Sequence, residues 1–373
     1  MSSNKRILYS CQSVAIGEAG LASWGTGNMV HGAQSLSTNT TFNPEQAFEF
    51  GQIEIYENIE GTPDVEITVE KAIDGYPLIY HMASTGVEGA AAAGSGLVGR
   101  SKEQCDFRIG IFPEENNNIA GSSENSGKAE VEVYCSGMYI GSISYTIPVE
   151  GFCTENVTLV GNNKQWLTGA NVKISDTMAN EFDGLDSPLA RGPADGSAPS
   201  GGIQRREDVL MTKCIFPASI HGITGTTPGN GVDGNDDPII HVQNITISTD
   251  FSREDILELG RKTPYYRPAG FPIEVTCEIE AITTSGDFVF AYEGGNPALY
   301  ATQSSGDNTS EDSMFFELRG GHAFDLGSKN RLTSVSYGGG DATGGNVATT
   351  YSFTNFNDLD VQWSGDYIGF NSI

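Results

Sequence analysis

Polar and apolar residues alternate with a period of two along much of this chain. Val65, Ile67 and Val69 alternate with Glu66, Thr68 and Glu70, and Ile273, Val275 and Cys277 alternate with Glu274, Thr276 and Glu278. That period turns the apolar set to one side of a strand and the polar set to the other, so both stretches predict half-buried sheet. Residues 106–112, 129–135, 139–149 and 152–161 predict further strands, with Ser136-Gly137 read as a hairpin turn between the second and third of them. Residues 332–337 and 347–353 predict a closing hairpin in which Val347, Thr349, Tyr351 and Phe353 share a face. Residues 76–80 fit a strand or a short helix equally. Short strands in this number, with glycine-rich connections, predict an all-β fold with short helices, closed as a sandwich or barrel.

The alternation belongs to a longer pattern that occurs twice. At a displacement of 209, Gln34, Thr40, Phe42, Glu45, Glu49, Gly51, Tyr56, Gly61 and Pro63 meet Gln243, Thr249, Phe251, Glu254, Glu258, Gly260, Tyr265, Gly270 and Pro272. Omitting Asp64 then brings residues 65–70 onto 273–278. In each copy a capping residue, Asn43 or Ser252, precedes a short apolar run that stops at Gly51 or Gly260, which predicts a helix of one to two turns. The ends of the halves compare as well, residues 145–160 with 351–363. The chain reads as a tandem duplication. It divides into an N-terminal arm at 1–30, a first β domain at 31–170, a loop-rich connector at 171–240 and a second β domain at 241–373. A chain of 373 residues is long enough for two cores.

Charge narrows the partners. Lys and Arg number 20 against 48 Asp and Glu, a formal charge of −28, which argues against a surface that grips nucleic-acid phosphates. No apolar run approaches the length that spans a bilayer, and no apolar signal segment follows the opening residues, so folding in a cytoplasm is expected. The six cysteines, Cys11, Cys105, Cys135, Cys153, Cys214 and Cys277, lack metal-ligand spacing and read first as small buried hydrophobes. Disulfides formed after release into oxidising surroundings stay open as the alternative.

Catalytic and cofactor patterns are weak. Residues 94–99 fit G-x-G-x-x-G but do not open an apolar helix, and residues 231–237 hold calcium-like oxygens without EF-hand spacing. No G-x-S-x-G elbow occurs, and His31, His81, His221, His241 and His322 form no metal-spaced pair. No enzyme, cofactor or metal is expected. Residues 86–104 and 183–208 are small-residue loops, the second long enough to be functional or disordered.

At the duplicated residues the chain resembles the tail-tube (major tail) proteins of long-tailed bacteriophages. The resemblance is carried by residues 42–51 with 64–71, and by 251–261 with Pro264-Tyr-Tyr-Arg267 and 272–278, joined by the closing hairpin and Ser352-Phe-Thr-Asn355. It covers about half of the chain. It implies two tandem tail-tube-like β-sandwich or barrel domains whose sheets join those of neighbouring copies into rings, and rings stacked into a tube that conducts DNA without binding it specifically. The implied partners are further copies of the chain, other tail proteins and a sheath where the tail has one, with no membrane. Three chains would close a pseudo-sixfold ring, or six would close one with the second domain outside. The implied location is the virion, assembled in the host cytoplasm. Within this reading, Glu66, Thr68, Glu70, Glu274, Thr276 and Glu278 are candidate lumen residues that repel DNA. Two alternatives compete. One is another tail component, such as a baseplate hub, terminator or decoration protein. The other is an extracellular carbohydrate-binding or adhesive protein using aromatics such as Trp24, Trp166 and Trp363.

Overall fold

The computed structural model describes residues 7, 12–85, 96–100, 102–112, 129–175, 202–217, 219, 220, 223, 226–282, 312–338 and 346–363. The connections expected at 86–104 and 183–208, together with Cys11 and His221, lie wholly or largely outside them. The described chain is mostly strand. In order it forms β1 (Gln12–Glu18), β2 (Ala33–Thr41), β3 (Glu45–Phe48), β4 (Ile55–Ile59), β5 (Asp64–Ala72), α1 (Ile79–Thr85), α2 (Leu97–Arg100), β6 (Cys105–Ile111), β7 (Val131–Pro148), β8 (Thr154–Gly161) and β9 (Asn163–Thr168). The later strands are β10 (His241–Asp250), β11 (Glu274–Ile282), β12 (Phe315–Glu317), β13 (His322–Asp325), β14 (Arg331–Gly338), β15 (Ala348–Phe356) and β16 (Asp360–Trp363).

Eight strands form one continuous antiparallel row, β14-β15-β11-β10-β7-β8-β5-β2. Its members come from both halves of the sequence. In the first half β2 pairs β5, β5 pairs β8 and β8 pairs β7; in the second, β10 pairs β11, β11 pairs β15 and β15 pairs β14. The halves meet where β7 pairs β10, with Tyr145 opposite Ile247 and Ile143 opposite Thr249. Bulges recur at corresponding places: Ala33/Ser35 on β2 and Val242/Asn244 on β10, Ile140/Ser142 on β7 and Leu332/Ser334 on β14. Anchored on these bulges, Ser334-Val-Ser-Tyr337 stands where Ser142-Ile-Ser-Tyr145 stands, a likeness missed by comparing 145–160 with 351–363. The same anchoring places Glu70 with Glu280, since each faces its bulge, two residues away from the pairing that omission of Asp64 gives. A shift of two leaves every side chain on its original face.

The expected hairpin at Ser136-Gly137 is absent. Strand β7 runs straight through for 18 residues. Its first part pairs β6 and β9, its second pairs β8 and β10, so it turns from one sheet into the other and no reversal is needed. Gly137 takes up the kink with φ +64° and donates its N–H to the Asp106 carboxylate at 3.0 Å.

The predicted short helices before β5 and β11 are also absent. Residues 45–59 form the β3–β4 hairpin, with Ala47 opposite Glu57, and residues 253–268 form a looser arm in which Ile256 bridges Tyr266. Eight residues nucleate a helix poorly, and an adjoining return strand offers the same backbone bonds. Gly51 and Gly260 do adopt positive φ, +93° and +90°, but as turns of the arms rather than as helix stops. Asn43 bonds the Thr62 carbonyl and the Asp64 carboxylate instead of capping, and Ser252 has φ +43°, outside the capping conformation.

One face of the row is apolar and covered. Val65, Ile67, Val69, Val157, Leu159, Tyr145, Ile147, Ile245, Ile247, Cys277, Ile279, Tyr351 and Phe353 share a single contiguous core with α1 and with the β12-β13-β16 sheet. Tyr145 meets Phe324 of that sheet with ring centroids 4.7 Å apart. The ambiguous residues 76–80 resolve into a loop followed by α1, whose first N–H groups, those of Ile79 and Tyr80, donate to the buried Glu155 carboxylate at 2.6 and 3.0 Å. A carboxylate there satisfies donors that the helix itself leaves open.

Candidate functional site: a bare polar face and two open edges

The opposite face of the eight-strand row carries the candidate lumen residues. Glu66, Thr68 and Glu70 alternate with buried Val65, Ile67 and Val69 on β5, and Glu274, Thr276 and Glu278 alternate with buried Val275, Cys277 and Ile279 on β11. Cross-strand pairing puts all six on one surface. Thr68 faces Ser37 and Thr158, Thr158 faces Ser142, and Ser142 faces Asp250. Thr276 then faces Ser248 on one side and Thr354 on the other. Glu70 accepts from Ser35 Oγ at 3.1 Å, the Thr68 and Thr158 hydroxyls lie 3.4 Å apart, and Ser352 Oγ donates to Glu278 at 3.4 Å.

Alternation in the sequence marks the six as polar positions of two strands and leaves most of their neighbours on this surface unnamed. Ser142, Ser144 and Thr146 on β7, Thr246 and Ser248 on β10, and Ser352 and Thr354 on β15 extend the same surface, and each lies in a period-two run that was open to reading. Among the described residues of this face, Glu66, Glu70, Asp250, Glu274, Glu278 and Glu280 supply negative charge, with Asp64 paired to Arg267 and Arg331 at the far edge. Short hydroxyl side chains between carboxylates make a flat, hydrated, acidic wall with little for a phosphate backbone to hold.

The row ends at β2 and β14, each paired on one side only among the described residues. Two apolar arms stand off the same structure. On the first, Phe48, Phe50, Ile53 and Tyr56 are exposed, and on the second Leu257, Leu259 and Tyr265 are exposed. An open cleft of about 860 Å³ beside the second arm is lined by Glu18, Lys102, Gln104, Tyr139, Tyr265 and Tyr266.

Other candidate chemistry is structural. Cys105, Cys135, Cys153, Cys214 and Cys277 are free and buried, and burial pushes the thiols of Cys153 and Cys214 up to about 12, so they are not thiolates at neutral pH. In the 231–237 loop Asp233 accepts from the N–H groups of Asn235 and Asp237 at 2.8 and 3.1 Å, a turn stabilised from within. No cluster that could hold a metal ion occurs among the described residues, and no described helix is long and apolar enough to cross a membrane. Of the G-x-G-x-x-G stretch only residues 96–99 are described, with one turn of helix at α2.

No protein-family model and no curated protein matches the sequence. Solved structures do match in part. The tube-terminating cap of the anti-feeding prophage is similar over 45% of this chain and 95% of its own, at 14% identity and a TM-score of 0.31. A chain of the sheath–tube complex of PVC, an extracellular contractile injection system, is similar over 44% of this chain and 94% of its own, at 10% identity and a TM-score of 0.29. The sheath/tube terminator of that system is similar over 45% and 100%, at 10% identity and a TM-score of 0.30.

Proposed function

We propose that the chain is a tube-building virion protein: copies join edge to edge into rings, and stacked rings form a tail tube through which DNA passes. The observation that carries this reading is the β7–β10 junction. It joins one four-strand set, β2-β5-β8-β7, to a second, β10-β11-β15-β14, in a single sheet. Treating the sets as a tandem duplication makes β14 the counterpart of β7 and β2 the counterpart of β10. The two free edges are then the two halves of a junction that the molecule already makes once inside itself. A heterologous contact of this kind repeats from copy to copy and either closes into a ring or runs on as a filament.

The register transfers with it. Tyr145 opposite Ile247 becomes Tyr337 opposite Thr38 of the next copy, and Ile143 opposite Thr249 becomes Val335 opposite Thr40. In such a ring the layers that cover the apolar face, α1 and the β12-β13-β16 sheet, have room only on the outside. The bare acidic face therefore lines the lumen, with Glu66, Thr68, Glu70, Glu274, Thr276 and Glu278 on its wall. Strand count bears on stoichiometry. With strands about 4.8 Å apart, three copies give a barrel roughly 37 Å across and six give roughly 73 Å, both widening as strands tilt. Three copies make the closer-fitting duct for a double helix, each contributing two units near 31–170 and 241–373.

Negative-stain electron microscopy of the purified chain tests this reading. Long hollow tubes, or rings with threefold or pseudo-sixfold symmetry, are expected at high protein concentration. Single rings that never stack would assign the chain to the end of a tube instead. Dispersed monomers, even with tail-initiation proteins present, would overturn the assembly reading.

A further inference from the structure

We infer that the first arm, residues 42–61, is a docking element for the second unit of a neighbouring copy. The inference rests on the ring reading and adds a contact beyond the paired edge strands. Its basis is the way the second arm already docks inside the molecule. Arg253 Nε donates to the Ile140 carbonyl at 2.8 Å, and Tyr266 meets Tyr139 edge-on with centroids 6.3 Å apart. The Thr62 hydroxyl donates to the Lys262 carbonyl, Lys262 pairs with Glu60 at 3.9 Å, and Arg267 pairs with Asp64 at 3.2 Å. The second arm thus lies on the first unit, across the bulged stretch of β7 and the approach to β5.

Among the described residues the apolar part of the first arm has no such seat, and only Glu60 at its base makes an ion pair, with Lys262. Ile53 and Phe50 are fully exposed, Phe48 is 66% and Tyr56 64% exposed, a run of apolar surface that isolated soluble domains seldom leave open. The corresponding seat, on the second unit, is also bare: Phe271 is 50% exposed, and Lys329 and Arg331 are exposed. Three of the four docking pairs stay complementary when their members are replaced by their counterparts, while the fourth, Arg253 against the Ile140 carbonyl, becomes Pro44 against Leu332 and loses its hydrogen bond. Tyr266 against Tyr139 becomes Glu57 against Arg331, an ion pair in place of an aromatic pair. Lys262 against Glu60 becomes Ile53 against Ala269, with Phe271 in the place of Thr62, an apolar contact in place of a charged one. Arg267 against Asp64 becomes Asn58 against Glu274, a hydrogen bond in place of an ion pair. Charge agrees at larger scale: residues 42–61 carry Glu45, Glu49, Glu54, Glu57 and Glu60 and no Lys or Arg, while the start of β14 offers Lys329 and Arg331. The occupant that fits the seat is therefore a second copy of this chain.

Charge exchange tests the contact. Glu57→Arg alone and Arg331→Glu alone should each raise the concentration for half-assembly, read by light scattering, at least about tenfold, because each sets like charges together. The double variant Glu57→Arg/Arg331→Glu should return it to within about twofold of wild type. Separately, Ile53→Cys/Phe271→Cys should form disulfide-linked dimers and larger species under mild oxidation, and neither single variant should, since the described native cysteines are buried. Wild-type rings that are indifferent to both charge reversals, with no cross-link in the double cysteine chain, would overturn arm docking and leave the ring reading standing. Cross-linked dimers from a chain that never forms rings would uphold the docking and overturn the ring. Absence of both assembly and cross-link overturns both, and sedimentation of the monomer with phosphatidylcholine vesicles would then assign the apolar arm to a bilayer surface.

Discussion

The least expected residues are the charged ones inside. Lys71 and Asp74 form a fully buried ion pair at 2.7 Å, and Lys71 also donates to the His31 carbonyl. His322, fully buried, bonds the Asp74 carbonyl. Burial holds the imidazoles of His31 and His322 down at about 3, and burial pushes the Glu155 carboxyl up to about 7 against the pull of the Tyr80 and Ile79 N–H groups, Lys71 and Tyr145. The two kinds of shift act on stability with opposite sign. Each histidine contributes stability present above the unfolded value of about 6.5 and lost as pH falls toward the folded one. Glu155 contributes stability present below about 4.3 and lost as pH rises through about 7. Between pH 6 and 5 two histidine protons outweigh one carboxyl proton, so these groups together destabilise the fold on acidification by about 1 kcal/mol per pH unit. Urea midpoints measured from pH 7 to pH 5 should fall, the fall should shrink in His322→Gln, and it should steepen in Glu155→Gln. Parallel profiles for all three chains would mean that these groups remain hydrated in the folded state.

At the scale of elements the arms are the informative pieces, because a hairpin in the first and a single bridge in the second stand where the sequence predicts helices, while the turn glycines keep their places. Gly51 and Gly260 were recognised as positions needing positive φ, and they have it. Gly61 and Gly270 matter for a different reason, which sequence could not supply. A Cβ on Gly61 would meet the Asn43 carbonyl oxygen at 1.8 Å, and one on Gly270 would meet the Ser252 carbonyl oxygen at 2.9 Å. Each glycine lets the outgoing strand pass directly under the incoming one at the arm base. Gly61→Ala should therefore shift the base of the first arm at a cost of about 1–3 kcal/mol, with the obstacle being backbone that cannot rotate away. Hydrogen exchange should speed up across residues 42–61 while β8 and β10 stay protected. Unchanged protection of the arm would show that the base can open without loss.

For the whole molecule the acidic wall is the property to test. A net charge of −28 is a statement about solubility and long-range repulsion until one face is known to be bare and continuous. Replacing Glu66, Glu70, Glu274 and Glu278 by Gln should leave assembly intact, since these side chains lie off the paired edges and the apolar core. If the chain builds the proposed tube with this face inside, replacing them by Lys should make that tube retain double-stranded DNA at about 0.15 M salt and release it as salt rises. Co-sedimentation of DNA with wild-type, Gln and Lys tubes measures this directly. Equal retention by all three would place the face on the outside of the assembly or deprive it of a role in passage.

Period-two alternation and turn glycines are local features, and sequence alone determined an all-β fold and the polar and apolar faces of β5 and β11, beside a likeness of 34–63 to 243–272. Alternation constrains which side of a strand is wet, and it holds under any slip of two residues. For that reason it could not decide strand order, the continuous course of β7 through Gly137, or the two-residue offset between β5 and β11. Those depend on hydrogen bonds between residues far apart in the chain, and the bulges that set them leave no reliable mark in composition. Only tertiary structure decided that both halves share one sheet, that the polar residues of eight strands make one surface, and that β2 and β14 stand at its ends among the described residues. Burying the apolar faces of both halves against a single core forces the halves side by side, and that placement gives separate strands a common wall.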